Sequence, residues 1–196
     1  MRVITLIGDD FKEACLLLKD KIDKQYKPDI VIGILTGGGY VGREISKTWP
    51  SAKYVETSIR RESTIKKEYG LRHKVLQFLP YFLLNWLRMA EMIYENIKAK
   101  RFNPKREGEF ILSSDIEELL KEKEQNVLLV DDAIDTGATL NLAYESLSSK
   151  YPLAVIKIAV VTVTNNKPMI DADYYLYHDR ILVRFPWSND IKQSKK

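Results

Sequence analysis

At 196 residues with a formal net charge of +4, the chain is long enough for one substantial core, and a single domain over residues 1–196 is the default expectation. Its 45% hydrophobic and 30% charged residues exclude a disordered chain, and the mild positive charge suits a polyphosphate ligand while falling short of the basic excess expected with nucleic acid as main partner. The single cysteine, Cys15, excludes an intramolecular disulfide and fits a reducing, cytoplasmic setting.

The first ten residues reach charge too early for a signal peptide, so secretion is not expected. Asp9 and Asp10 are placed to cap a helix in which Phe11, Ala14, Cys15, Leu18 and Ile22 share one face, with Cys15 as a packed thiol. Residues 29–35 read as a buried strand, 36–39 as a tight loop, 40–48 as a helix stopped by Trp49 and Pro50, and 53–58 as a second strand.

From about residue 70 to 124 the alternation of strand and helix breaks. Residues 71–100 hold two helical stretches parted near Pro80, with Leu83, Leu84, Leu87, Met89, Ile93 and Ile97 at apolar positions, and 113–123 reads as a third helix capped by Ser114 with Glu117. This helical insertion carries more apolar residues than an exposed hairpin would leave in water. It is expected to cover a site or, preferably, to build a subunit interface in a homo-oligomer. The most lipid-like stretch, 75–87, is broken by Gln77, Pro80 and Asn85 and is shorter than the ~20 residues of a spanning helix, so no membrane partner is expected. Strands follow at 127–130, 155–163, 174–177 and 181–184, with a helix over about 138–149. Together these predict an α/β fold with a mostly parallel central sheet flanked by helices. Neither repeats nor low-complexity segments occur, and only 192–196 is expected to fray.

The most informative segment is 127–139, Val-Leu-Leu-Val-Asp-Asp-Ala-Ile-Asp-Thr-Gly-Ala-Thr. A buried-type strand runs into Asp131 and Asp132 at what would be the carboxyl edge of a parallel sheet, where α/β folds place ligands. Asp135, Thr136, Gly137, Ala138 and Thr139 then offer backbone N–H groups and two hydroxyls beside a helix N-terminus, an environment that favours a phosphate dianion. Taken alone, an Asp-Asp pair at a strand end reads better as a helix cap or a metal-binding pair.

The whole string resembles the signature of the type I phosphoribosyltransferases, which bind 5-phosphoribosyl-1-pyrophosphate (PRPP) and exchange its pyrophosphate for a nitrogenous base. The resemblance implies that Asp131 and Asp132 lie beside the ribose hydroxyls and hold Mg²⁺, and that residues 135–139 cradle the 5′-phosphate, with Ala133 also in the PRPP site. Thr36, Gly37 and Gly38, in the stretch Gly-Ile-Leu-Thr-Gly-Gly-Gly of residues 33–39, would form the pyrophosphate loop, since glycine backbone can approach an anion unobstructed. The family often carries a basic residue where this chain has Thr36. Arg43, Arg60, Arg61, Lys66 and Lys67 are the candidate cations, each of them more ordinarily a solvated surface group.

Gly37, Gly39 and Gly42 also match the G-x-G-x-x-G spacing of a dinucleotide fingerprint, with Glu56 near the end of the next strand. An NAD-binding oxidoreductase is thus a competing expectation, although it leaves 127–139 unexplained. The P-loop pattern is excluded because no Gly-Lys-Ser/Thr follows the glycines.

Asp135, before Thr136 and Gly137, is where family members acting on 6-oxopurines carry an aspartate, which implies a general acid–base near the purine N7 or N9. The bland alternative is a helix cap. Residues 166–168, 172–175 and 181–187 resemble the base-binding end of microbial xanthine/guanine-type enzymes. By that resemblance Lys167 faces the purine 6-oxygen and the backbone around Val183 reads the ring edge. Leu182 stands where an aromatic commonly stacks, and it offers area without a π-face. Phe185, Pro186 and Trp187 close the pocket or belong to the core, and His73 and His178 have no metal-site spacing. The expected protein is a Mg²⁺-dependent purine phosphoribosyltransferase of purine salvage, with a non-catalytic PRPP- or nucleotide-binding regulatory protein as the alternative.

Overall fold

A computed structural model describes residues 2–60, 109–178 and 181–188 of the chain. The helices expected within 71–100, His73 and the tail at 192–196 lie outside the described residues. In chain order the elements are β1 (Arg2–Thr5), α1 (Asp9–Asp23), β2 (Ile30–Ile34), α2 (Gly37–Ser46), β3 (Lys53–Thr57), β4 (Ile59–Arg60), β5 (Glu109–Phe110), α3 (Ser114–Glu122), β6 (Gln125–Ile134), α4 (Ala138–Lys150), β7 (Ala154–Val163), β8 (Tyr174–His178) and β9 (Ile181–Arg184).

Five strands in the order β3-β2-β6-β7-β8 form the central sheet, and each neighbouring pair is parallel. Period-2 alternation divides its side chains between two cores. Val31, Leu128, Val130, Ala159 and Val161 pack with Ala14, Cys15, Leu18 and Ile22 of α1 and Val41 and Ile45 of α2. Ile30, Ile32, Ile34, Val127, Leu129 and Ile158 pack on the other face with Ile116 and Leu120 of α3 and Leu140, Ala143 and Leu147 of α4. Both faces being covered, the middle stretches of the central strands, 30–34, 127–130 and 158–161, carry no polar side chain, as buried parallel strands require. Cys15 is buried, and that burial pushes its thiol up to about 12; it is the packed thiol its neighbours suggested.

Several elements differ from expectation. β1 was not anticipated; it pairs in parallel with β9 as a separate two-stranded sheet, from Arg2 with Ile181 to Thr5 with Arg184. α1 takes Gly8 as its N-cap, so Asp9 and Asp10 sit inside the first turn, where their charge faces the positive end of the helix. Ser113, not Ser114, is the N-cap of α3, and no side-chain cap bond forms; Ile116 and Leu120 of α3, expected inside the insertion, are buried in the sheet core. The chain leaves the described region after β4 and rejoins it at β5, which pairs antiparallel with β4.

Candidate active site

The site grows out of a change of side. β2 and β6 are neighbours, yet α2, which follows β2, packs on one face of the sheet while α4, which follows β6, packs on the other. The chain also builds outward in opposite directions from this pair, to β3 on one side and to β7 and β8 on the other. Such a switch point opens a crevice beyond the carboxyl ends of the two strands.

β6 does not stop at Val130 as its sequence suggested but runs to Ile134. Pairing with β2 ends at Gly33 with Val130, whereas pairing with β7 continues to Ile134 with Val163. Asp131 and Asp132 therefore lie on a stretch of strand open on its β2 side, and the first turn of α2 fills the gap. The residues expected as a glycine loop are thus helical from Gly37 onward, with Thr36 as the N-cap. Glycine is required there by proximity. A Cβ on Gly38 would stand 2.7 Å from Asp131 Cα and nearer still to the Val130 carbonyl oxygen, and one on Gly37 would overlap the Asp132 carboxylate. Gly37 and Gly38 are buried, while Thr36 and Leu35, joined to each other by a cis peptide, are exposed.

Asp131 accepts the backbone N–H of Asp132 at 2.8 Å. Although the residue as a whole is half-buried, burial of its carboxyl group, and next the adjacent Asp132 charge, raises its pKa well above the ordinary carboxylate value; bonds from the Asp132 and Gly38 backbones oppose that rise without cancelling it. Asp132 is held from the other direction, accepting the indole N–H of Trp187 on Oδ2 at 2.8 Å. Trp187 is stacked against Tyr40 of α2 at 4.7 Å and Phe185 at 4.9 Å, and meets Phe11 of α1 edge-on at 5.4 Å.

Beyond β6 the chain turns through Asp135 and Thr136 to Gly137, the N-cap of α4 at φ 76°. Gly137 is needed twice over. Its φ lies in the left-handed region, and a Cβ would meet Met169 N at 3.1 Å and Ile170 N at 3.2 Å. The Met169 N–H donates to the Thr136 carbonyl at 2.9 Å, which lays the Lys167 segment across the 135–137 turn. The stretch expected to hold the phosphate and the stretch expected to hold the base thus meet, through residues 33 positions apart in sequence. Since Gly137 and not Asp135 is the N-cap, the capping explanation for Asp135 loses its ground. Asp135, Thr136, Thr139 and Ala133 are half-buried, and Ala138 is buried.

Among the residues expected to bind the base, Lys167 is exposed and its N–H donates to Asn165 Oδ1 at 3.1 Å. Leu182 is half-buried in β9 and Val183 is buried in the core, so only the backbone of Val183 remains for a ligand. Arg43 is paired with Glu56, which Tyr54 also bonds through its hydroxyl at 2.8 Å. Arg43 holds the Glu56 carboxyl below the ordinary glutamate value, with Tyr54 next in effect. The acid that a dinucleotide site would need for a ribose is therefore engaged, and the Asp132 carboxylate fills the space beside Gly37; both count against the NAD expectation. Arg61, Lys66 and Lys67 lie outside the described residues, and Arg60 is placed only as backbone of β4. His178 ends β8 with its ring 5.4 Å from that of Tyr175.

Among the described residues no group of three or more His, Cys, Asp or Glu could hold a metal by itself. The Asp131–Asp132 pair instead suits Mg²⁺, which commonly takes one or two carboxylates and completes its shell with substrate oxygens and water. A cation there would relieve the repulsion that contributes to the raised Asp131. Also among the described residues, no helix is long and apolar enough to cross a membrane.

Trp187 was expected to close the pocket or belong to the core, but its bond to Asp132 was not foreseen. The only signal was an aromatic beside Pro186 at the end of a strand, 55 positions from its partner.

Residues 10–192 match the family model described as phosphoribosyl transferase domain. No curated protein matches the chain by sequence. Among solved structures it is similar to a purine phosphoribosyltransferase from Pyrococcus horikoshii Ot3, at 19% identity and TM-score 0.61 with 100% of each chain covered. It is also similar to the xanthine-guanine-hypoxanthine phosphoribosyltransferase of Helicobacter pylori, at 13% identity and TM-score 0.61 over 95% of this chain and 94% of the other. A third is a hypothetical protein from Neisseria gonorrhoeae with bound ppGpp, at 15% identity and TM-score 0.58 over 95% and 89%. At these identities the likeness concerns the fold.

Proposed function

This chain belongs to the phosphoribosyl transferase domain family, and from that membership we propose that it transfers the phosphoribosyl group of PRPP to a purine base, a 6-oxopurine, releasing pyrophosphate and a nucleoside monophosphate in purine salvage. The observation that carries the proposal is the meeting, at one switch point, of the Asp131–Asp132 pair, the first turn of α2 and the turn into α4.

In the proposed reaction the 5′-phosphate sits on the backbone of 135–139 at the N-terminus of α4, and Asp131 and Asp132 receive the ribose hydroxyls. Pyrophosphate approaches α2 from the exposed side of Thr36; Gly37 and Gly38 serve mainly to let the acid pair come close. As the purine nitrogen bonds to C1 of the ribose, the C1–oxygen bond to pyrophosphate breaks, and the proton of that nitrogen passes to the Asp135 carboxylate. The two neighbouring carboxylates offset positive charge developing on the sugar. Mg²⁺ held by Asp131 and Asp132 would neutralise the pyrophosphate. Lys167 faces the purine 6-oxygen. The activity belongs in the cytoplasm, and the chain is proposed to work as a homo-oligomer, which light scattering tests.

The test is an assay with PRPP, Mg²⁺ and hypoxanthine, guanine, xanthine and adenine, following nucleotide and pyrophosphate release. Formation of a 6-oxopurine nucleotide is expected. No transfer with any base, together with PRPP binding, would favour a second possibility, a regulatory protein that binds PRPP or a nucleotide without catalysis. Thr36 in place of a basic residue and the ppGpp bound by the Neisseria protein speak for that possibility.

A further inference from the structure

We propose that Trp187 is a positioning residue of the phosphoribosyl site: its indole N–H fixes one oxygen of the Asp132 carboxylate and so presents the other to the ribose. The inference rests on the functional proposal above, because it assigns Asp132 to the substrate.

Trp187 is anchored by the strand that precedes it and by the turn that carries it. β9 is tied to the N-terminus through its parallel pairing with β1 and through the Leu6 N–H bond to the Arg184 carbonyl at 2.9 Å. Immediately after β9 the chain makes a turn closed in both directions: the Phe185 N–H donates to Ser188 Oγ at 2.9 Å, and the Ser188 N–H donates to the Phe185 carbonyl at 2.9 Å. Trp187 projects from that turn into a stack with Phe185 and Tyr40 and an edge contact with Phe11. Three rings from three parts of the chain therefore set the indole plane. An indole has one N–H and no acceptor, so a plane fixed in this way aims a single donor, and it is aimed at Asp132 Oδ2.

Asp132 needs such a partner. On one side its carboxylate fills the space that a Cβ on Gly37 would occupy, and a glycine offers no side chain to hold it. Its neighbour Asp131 takes the Asp132 backbone N–H instead. The Asp131 carboxyl is also within bonding reach of Asp132, but it is a like-charged acid; a donor that can orient the Asp132 carboxylate in its charged form comes from Trp187, delivered from the far end of the sequence. An acid that must meet ribose hydroxyls in one geometry gains from a rigid neighbour, because an orientation set beforehand need not be imposed on binding.

The test is a double-mutant cycle read by calorimetry with PRPP and Mg²⁺, using Trp187→Phe, Asp132→Ala and the pair. Phenylalanine keeps a ring in the stack and removes the donor; the ring area lost with it acts equally in both backgrounds and cancels in the cycle. Trp187→Phe is expected to weaken PRPP binding about tenfold or more, the effect of losing one hydrogen bond to a charged acceptor, and to add nothing in the Asp132→Ala background. Unchanged affinity in Trp187→Phe, or an equal loss in both backgrounds, overturns the inference and leaves the functional proposal intact. Absence of PRPP binding by the wild type overturns both. Should Trp187→Phe fail to fold, the indole N–H resonances of the three tryptophans give an independent readout by NMR. One and the same resonance should move on PRPP addition and on Asp132→Ala, and no movement on Asp132→Ala overturns the inference.

Discussion

Gly38→Ala tests how α2 rests on β6. In an exposed helix the change would stabilise by up to about 1 kcal/mol, since alanine is the better helix former. Here the added Cβ would lie 2.7 Å from Asp131 Cα and closer to the Val130 carbonyl, and neither atom can swing aside because both are backbone of β6, which is paired with β7 through this stretch. An ordinary carbon–carbon contact is about 3.5–4.0 Å, so α2 must retreat from the sheet by roughly 1 Å. That gap falls on Val41 and Ile45, both fully buried, and a gap of this size forfeits about a quarter to a half of each attractive contact. Overpacking of this kind costs about 1–3 kcal/mol, occasionally more. Set against the helix gain, a net destabilisation of up to about 2 kcal/mol is expected, which lowers Tm by up to roughly 4–8 °C at this chain length. Gly37→Ala meets the end of a short side chain instead. It should melt closer to wild type while pushing Asp132 off Trp187, and so lose PRPP affinity. Thermal melts of both variants beside PRPP titrations decide the matter; a Gly38→Ala protein that melts at or above wild type would refute the packing argument.

Asp135→Asn keeps the shape of the side chain but not its proton chemistry, so PRPP should bind normally while turnover falls by roughly 10²–10⁴; near-normal steady-state rates would strip Asp135 of its role. In the double variant Asp131→Asn with Asp132→Asn, calorimetry should show weakened binding of PRPP with Mg²⁺, and unchanged affinity in a folded protein would move the ribose elsewhere. Lys167→Ala should reduce kcat/KM with hypoxanthine and guanine more than with adenine, because an ammonium has only donors to offer and adenine presents an amino group in place of the oxygen; equal losses for all three bases would take Lys167 out of the base site. The Cys15 thiol, raised to about 12 by burial, should resist alkylation at pH 8 in the native protein and react once the chain is unfolded. The same shift means that, as pH climbs from about 8.5 towards 12, the unfolded state loses this proton first and stability declines. Rapid native labelling at pH 8 would contradict the burial.

Periodicity alone carried much of the fold. The apolar runs at 30–34 and 127–130 and the β-branched run at 155–163 read as buried strands because a parallel sheet covered on both faces needs apolar residues at every position. The α1 face of Ala14, Cys15, Leu18 and Ile22, legible as a helical stripe, is buried against the sheet. The string from Val127 to Thr139 identified the family for a similar reason: it compresses strand, acid pair, turn and helix start into consecutive residues, so its chemistry is local. β1 stayed invisible because four residues pair only with β9, at the other end of the chain. Nothing near them in sequence records that partner.

By itself, then, the sequence determined most of the element types, the covered parallel sheet and the residues of the acid-bearing loop, all of which depend on spacing along the chain. Tertiary structure alone decided how those residues are used. That Gly37 and Gly38 are a helical turn pressed on β6 follows from β2 pairing ending at Val130 while β7 pairing continues. That the Lys167 segment crosses the Gly137 turn follows from the Met169 bond to Thr136. That Asp132 is held by Trp187 follows from β9 returning to pair with β1 and delivering an aromatic stack over α2. Each of these is a contact between segments distant in sequence, and the physical reason is common to all three: a side chain's neighbours along the chain set its local conformation, whereas its partners across space are chosen by how the layers pack.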